Sequence, residues 1–248
     1  MKYVKIFPTH SQYEEYINHS DAILPNVSLC NLENEIHFNA GAREHDYVEI
    51  AGIKWATMNI GATAVTDYGK YFQWGDAQGY TSGQVGTGEG RKYFGWEDYK
   101  YNDGTAEPSA STITKYNGTD GKKVLEFSDD GVRAAWGGPW RMPTTDEFAA
   151  LGAATTSAWT TDYQGTGVHG MIVTDKTDSS KVLFFPAAGD AGNGSMGYVG
   201  SSGYYWSSSR YSSSVLYGRN LSFDSGTVNW QDGYYRRGGF SLRGVVGE

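Results

Sequence analysis

From Tyr47 onward the chain alternates short apolar runs with clusters of Gly, Asn, Asp and Ser. Such runs, often with period-two alternation, are typical of short strands joined by turns. The predicted strands are Tyr47–Ile50, Ile53–Asn59, Met171–Thr174, Val182–Phe185, Tyr204–Ser207, Val215–Phe223, Val228–Trp230 and Phe240–Val246. Short helices are predicted over Ser128–Ala135 and over Glu147–Leu151, the second behind caps that start at Thr144. Since residues 76–122 predict a long loop, the pattern indicates an α+β fold with few short helices, short antiparallel strands and long loops.

Residues 1–42 have a different pattern. It predicts a strand over Lys2–Phe7, a helix over Ser11–Asn18 and a hairpin of Val27–Cys30 with Glu35–Phe38. A segment this small cannot bury a core of its own. We therefore expect residues 1–42 to be a small N-terminal attachment element through which the protein assembles, and residues 43–248 to be the main domain.

Net charge and the distribution of apolar residues argue against some classes of function. The formal charge is −8, which argues against a nucleic-acid-binding domain, because such domains carry a basic face. No apolar run approaches the length of a membrane helix, so no membrane insertion is expected. The residues around Lys2 and Lys5 lack the apolar stretch of a signal peptide. The location stays open, with a virion (as a phage tail-associated protein) or a cell surface as the places that fit a binding protein.

Residues for catalysis or metal binding are sparse. The single cysteine, Cys30, excludes an internal disulfide and any site built on several cysteines. The histidines show no helical ligand spacing, and four of the five precede residue 46; they are His10, His19, His37, His45 and His169. Nucleophile elbows, phosphate loops and dinucleotide fingerprints are absent from the sequence. We expect no enzyme activity, no catalytic metal and no cofactor.

The segment 203–239 has the composition of a binding surface. Of its 37 residues, 28 are Ser, Tyr, Gly, Arg, Asn or Asp, and it contains neither Lys nor Glu. Tyrosine gives a large, rigid contact area at low entropic cost, and arginine gives a planar fork of donors, as in antibody paratopes. Period-two alternation places Leu221 and Phe223 in the core and Asn220, Ser222 and Asp224 on the opposite face.

Several motifs resemble a known family. They are Val48–Ala62, Asp67–Gly75, Trp136–Thr144, Phe185–Gly189, Gly203–Ser209 and Gly239–Arg243. Together they resemble the Fibrobacter major paralogous domain, common in gut Bacteroidetes, over about residues 45–246. That family is similar to the C-type lectin-like fold, in the branch of formylglycine-generating enzymes, and the resemblance implies this fold for residues 43–248.

The end of the chain is also similar to the variable proteins of diversity-generating retroelements. These share the lectin-like fold and end in a phrase like Gly239–Arg243, although Gly244 stands where that phrase more often has Pro. In such proteins, Asn codons are diversified into Tyr, Ser, Asp, Gly and Arg codons, which fits the composition of 203–239. Period-two alternation puts Arg219 on the same strand face as the core residues Leu221 and Phe223. We still include it in the predicted ligand surface, because of this resemblance and because a buried, unpaired arginine is costly.

The predicted function is non-catalytic binding of a protein or glycan on a cell surface, as a receptor-binding or adhesin-type protein. The predicted ligand surface consists of Arg210, Tyr211, Tyr217, Arg219, Asn220, Ser222, Asp224, Asn229, Trp230, Asp232, Tyr234, Tyr235 and Arg236. A carbohydrate-binding lectin-like module is the first alternative, although the sequence has no Glu-Pro-Asn or Gln-Pro-Asp calcium loop. A formylglycine-generating-type oxidase is the second, although its copper site resembles a pair of cysteines that this chain lacks.

Overall fold

The computed structural model describes residues 45–247. The predicted attachment element 1–42, the start of the main domain at residue 43 and Cys30 lie outside this range. The two α-helices of the described range are α1 (Gly131–Trp136) and α2 (Thr145–Ala154). Its strands are β1 (Tyr47–Ile50), β2 (Ile53–Asn59), β3 (Thr155–Thr160), β4 (Gly170–Asp175), β5 (Val182–Pro186), β6 (Asp190–Gly192), β7 (Ser195–Gly197), β8 (Ser202–Arg210), β9 (Tyr217–Asp224), β10 (Val228–Tyr235) and β11 (Arg243–Val246).

Both helices begin where side chains cap them. Asp130 accepts hydrogen bonds from the backbone N–H groups of Val132 and Arg133, so α1 starts after Asp130 and not at Ser128 as predicted. Caps were predicted at residues 144–147, and there Thr144 and Glu147 form a capping box, in which each side chain accepts the other residue's backbone N–H; α2 starts at Thr145, two residues before the predicted start. Each helix is therefore short and fixed at its entrance.

The strands form small antiparallel sheets, in the orders β1-β2-β11, β10-β9-β8, β3-β4-β5 and β6-β7. In the first sheet β11 pairs with β2, with Val245 opposite Trp55, so the first and last strands of the described range belong to the same sheet, on either side of β2. The predicted α+β class with few helices is confirmed. Within residues 45–247, none of the helices is long and apolar enough to cross a membrane.

Large aromatic side chains fill the interior. Trp55, Trp74, Trp140 and Trp206 are buried, whereas Trp136 is half-buried. One core cluster lies between β2, the long loop and the segment around Phe240; another lies beneath α2. The aromatic motifs of the sequence therefore serve mainly to build the core.

The long loop 76–122 contributes to that core. Its only regular element is a short 3-10 turn at Ser82–Gln84. Phe94, Trp96 and Tyr99 are buried, and Tyr116 is buried with them. The loop is thus an integral layer of the domain, and it packs against the residues that carry the candidate site.

Candidate functional site

The candidate site lies on the sheet β10-β9-β8, in which β10 is an edge strand. The β9–β10 register pairs Tyr217 with Tyr235 and Asn220 with Asp232. Extra residues occur in β8 and β10, while β9 runs regularly between them. Alternation along β9 therefore assigns each of its side chains to one face of the sheet.

One face of β9 is buried at its C-terminal half only. Leu221 and Phe223 lie in the core beneath α2, as predicted. Tyr217 and Arg219 point to the same face but lie beyond the cover of α2, and both are partly exposed. Arg219 therefore lies on the same face of β9 as the core residues. It is nevertheless partly exposed, because α2 covers only the other half of that face.

The opposite face is buried at its N-terminal half. Gly218 lies so close to Trp74 that a Cβ would be 2.6 Å from the indole ring. Asn220 sits opposite Trp206 in the register and is 1% exposed. The prediction that Asn220 is displayed is wrong, because Trp74 and Trp206 cover this part of the face. Further along, Ser222 is half-buried and Asp224 is exposed.

Arg236 is the second correction. The sequence places it on the ligand surface, but its side chain is completely buried. It donates from Nε to Tyr217 O at 3.3 Å, from Nη1 to Lys115 O at 3.3 Å and from Nη2 to Tyr116 O at 2.8 Å. Its guanidinium also lies 4.5 Å from the centre of the Trp74 ring. Arg236 therefore binds backbone carbonyls of the protein and is not available to a ligand. These hydrogen bonds offset the cost of burying its charge.

Trp230 has a structural contact of its own. The extra residue of β10 places Trp230 and Gln231 opposite Leu221, between the paired positions Asn229 and Asp232. Trp230 then packs against α2, where a Cβ at Gly152 would lie 2.6 Å from the indole ring. It is half-buried and takes part in the core.

Three predicted polar residues occupy different surroundings. Ser222 donates to Asp232 Oδ2 at 2.7 Å, on the face opposite Arg219. Asp224 caps the β9–β10 turn, where its Oδ1 accepts two backbone N–H groups. Arg210 is half-buried at the end of β8, where its backbone N–H donates to Lys123 O.

A cleft of about 400 Å³ opens beside the exposed part of β9. Its lining residues are Tyr211, Ser214, Tyr217, Arg219, Asn229, Gln231, Asp232 and Gly233. The Arg219 guanidinium lies 4.1 Å from the centre of the Tyr211 ring, and its Nη1 donates to Gln231 O at 2.7 Å. A cation stacked on an aromatic ring in this way is held in a defined position.

Six tyrosines form a continuous row of ring contacts around the end of this sheet. In order they are Tyr198, Tyr204, Tyr234, Tyr235, Tyr217 and Tyr211, and we call them the tyrosine belt. Successive ring centroids are 6.3, 6.4, 6.2, 4.5 and 5.8 Å apart. A hydrogen bond with Tyr235, together with burial, raises the pKa of Tyr217 to about 12. The belt connects the cleft on one face of the sheet with tyrosines on the other.

The belt extends beyond the predicted segment. Of the seven exposed large hydrophobic residues in 45–247, four are Tyr198, Val199, Tyr234 and Tyr235. Tyr198 and Val199 precede Gly203 and were missed. The absence of Lys and Glu runs back to Val182 and is the sequence signal that would have included them. Apolar exposure concentrated in this way is a feature of interaction sites.

Between residues 45 and 247 no three His, Cys, Asp or Glu side chains are grouped so as to hold a metal ion. His169 lies in a loop and its Nδ1 is 2.8 Å from Gly200 O. Comparison of the chain with family models, with curated proteins and with solved structures finds no match.

Proposed function

We propose that this chain is a non-catalytic ligand-binding protein of the receptor-binding or adhesin type, and that the tyrosine belt with its cleft is the ligand surface. The belt itself carries the proposal, because six tyrosines in ring contact lie around one end of a sheet and four of the most exposed apolar side chains cluster there. Tyr and Arg are the residue types that dominate interface energies.

The support beneath the belt favours binding over a purely structural role. Gly218 packs on Trp74, and Trp206 stacks on Phe240 with ring centroids 4.2 Å apart. The buried rings of Trp74, Trp206 and Phe240 therefore form the layer of the core on which the tyrosine belt lies. Exposed tyrosines on a rigid frame lose little conformational entropy when a partner binds, which increases affinity.

We also infer that the domain has the C-type lectin-like fold. The pairing of β2 with β11 and the two short helices support this inference. The motif Gly239–Arg243 has a physical role that fits it. Arg243 is fully buried and donates to Asn59 Oδ1, Ala56 O, Thr57 O and Phe184 O. It thereby ties the end of the chain to β2 and β5.

Diversification by a retroelement belongs to the same proposal. A diversified surface needs positions that vary without loss of the fold, and Tyr211, Tyr217, Arg219 and Tyr235 are partly or fully exposed. Sequencing the neighbouring DNA tests this directly. We expect a reverse transcriptase gene and a near-repeat of the region encoding 203–243, and their absence would leave a fixed binding surface.

Binding itself is tested with matched tyrosine variants. The wild type, Tyr217→Ala and Tyr47→Ala are applied to arrays of glycans and of purified surface proteins from gut bacteria. Tyr47 is exposed on β1, outside the belt, and serves as the control. We expect ligands that bind the wild type and Tyr47→Ala equally and lose at least tenfold in affinity for Tyr217→Ala. Equal binding by all three proteins would contradict the proposal, and a response on glycans alone would favour the carbohydrate-binding alternative.

A further inference from the structure

The Tyr198 end of the belt has an unusual backbone. Tyr198 is 65% exposed, yet its φ is 56°, in the left-handed region that disfavours non-glycine residues. Its carbonyl accepts hydrogen bonds from Ser201 N, Ser202 N and Ser201 Oγ. A strained, exposed aromatic residue that is fixed by its neighbours contributes little to the core, and such strain is a reason to look for a binding role.

Tyr198, Tyr204 and Tyr234 form a group that is open to solvent on one side. Tyr204 lies between the other two and stacks on the buried ring of Phe240, with centroids 5.0 Å apart. Tyr198 and Tyr204 are inclined by 62° to each other, so the rings do not form a flat stack. Inclined rings present the electron-rich faces that attract a cation.

A carboxylate lies beside this group. Asp190 is paired with Gly197, the residue before Tyr198, and a Cβ on Gly197 would lie 2.5 Å from Asp190 Oδ1. Asp190 forms no ion pair with any of residues 45–247. Burial, and then the charge of Asp190, raise the pKa values of Tyr204 and Tyr234.

Arg237 acts on this carboxylate through its charge, but its hydrogen bonds go to other groups. Arg237 donates from Nη1 to Phe94 O at 3.2 Å and to Asn193 Oδ1 at 3.0 Å. Burial raises the pKa of Asp190; a hydrogen bond from its own backbone N–H and the charge of Arg237 lower it, but burial outweighs both and the pKa stays raised. The half-buried carboxylate would thus be stabilised by a further positive charge.

We propose that Tyr198, Tyr204, Tyr234 and Asp190 form a cation-binding site that receives an alkylammonium or guanidinium group of the partner. This inference rests on the proposed function, because the site is one end of the same belt, and it names the chemistry that the partner supplies there. The overall charge of −8 also favours a basic partner surface.

Choline and its neutral isostere 3,3-dimethylbutan-1-ol are the probes. They have the same shape and differ in charge, so they separate cation binding from apolar contact. Titrations of the full chain are followed by NMR of the tyrosine rings, with Tyr198→Gly, Asp190→Asn and the control Tyr47→Ala. We expect choline to shift the ring signals of Tyr198, Tyr204 and Tyr234. Its affinity should exceed that of the isostere and fall about fivefold or more in Tyr198→Gly and Asp190→Asn. Bound choline should also lower the pKa of Asp190.

The outcomes separate the two proposals. Equal binding of choline and the isostere, or unchanged choline binding in Tyr198→Gly, would overturn the cation site. If Asp190→Asn does not fold, Tyr198→Gly decides, because its side chain is exposed. If choline does not bind but binding of the array ligands is still lost in Tyr217→Ala, this inference alone is overturned. If choline binds as expected but the array ligands bind Tyr217→Ala as well as they bind the wild type, the proposed function alone is overturned.

Discussion

Two arginines of the predicted ligand surface should respond in opposite ways to the same substitution. Arg236 is completely buried, and its fork donates to three backbone carbonyls. Arg219 is partly exposed and has one hydrogen bond and one ring contact. The pair Arg236→Ala and Arg219→Ala therefore tests whether the structure has assigned them correctly.

The magnitudes follow from these partners. Removing the Arg236 side chain leaves the carbonyls of Lys115, Tyr116 and Tyr217 without their donor and opens a cavity beside Trp74. A buried acceptor left without its donor typically costs about 1–3 kcal/mol, and the cavity adds to that cost, so we expect a loss of roughly 3–5 kcal/mol. Arg219→Ala removes an exposed cation–π contact of about 0.5–1 kcal/mol. The free energies of unfolding should thus differ severalfold between the two variants.

Urea unfolding and thermal melts measure the difference. For a domain of this size we expect Arg236→Ala to lower Tm by about 6–20 °C and Arg219→Ala by less than about 4 °C. Arg236→Lys should recover little, because one ammonium group cannot replace a planar fork that spans three carbonyls. Equal losses in Arg219→Ala and Arg236→Ala, or a loss below about 1 kcal/mol in the latter, would refute the assignment.

Three further outcomes are expected. Leu221→Ala should lower the free energy of unfolding by roughly 2–5 kcal/mol and Ser222→Ala by about 1 kcal/mol at most, and comparable losses in urea titrations would contradict the two-faced β9. Tyr198→Gly should change stability by about 1 kcal/mol or less in thermal melts, because relief of the positive φ offsets the flexibility of glycine. At Asp129, burial alone would raise the pKa, but hydrogen bonds led by that of Lys115 lower it below the usual value. Its contribution is therefore present above the unfolded-state pKa of about 4 and lost below it, so the stability deficit of Asp129→Asn should be clear at pH 7 and smaller at pH 3.

The sequence was informative where a pattern has a local cause. The predicted caps at residues 144–147 are present, as a capping box of Thr144 and Glu147, because such a cap needs only neighbouring residues. Leu221 and Phe223 lie in the core, because alternation fixes their shared face.

The errors come from distant packing. Alternation predicts which face of β9 a residue shares, but the cover of each face changes along the strand, so Asn220 is buried while Arg219 is partly exposed. The extra residue in β10 turns Trp230 toward α2, and a single sequence gives no sign of it. Arg236 finds its partners in Lys115 and Tyr116, about 120 positions away, so composition alone assigned it to the surface.

The position of Arg236 gives it a consequence for binding despite its burial. Its Nε holds Tyr217 O, and its other donors hold the carbonyls of the long loop. The backbone of a belt residue is thus tied to the core at the point where the cleft begins. We expect Arg236 to be a positioning residue that fixes the ring of Tyr217 before a ligand arrives, since a fixed contact residue loses less entropy on binding. A ligand selected on the wild type should therefore bind Arg236→Lys more weakly than Tyr47→Ala, even at temperatures where both variants are folded. The association and dissociation rates of the ligand, measured on the folded proteins, give the two affinities. Equal affinity of the two folded variants would show that the clamp serves stability alone.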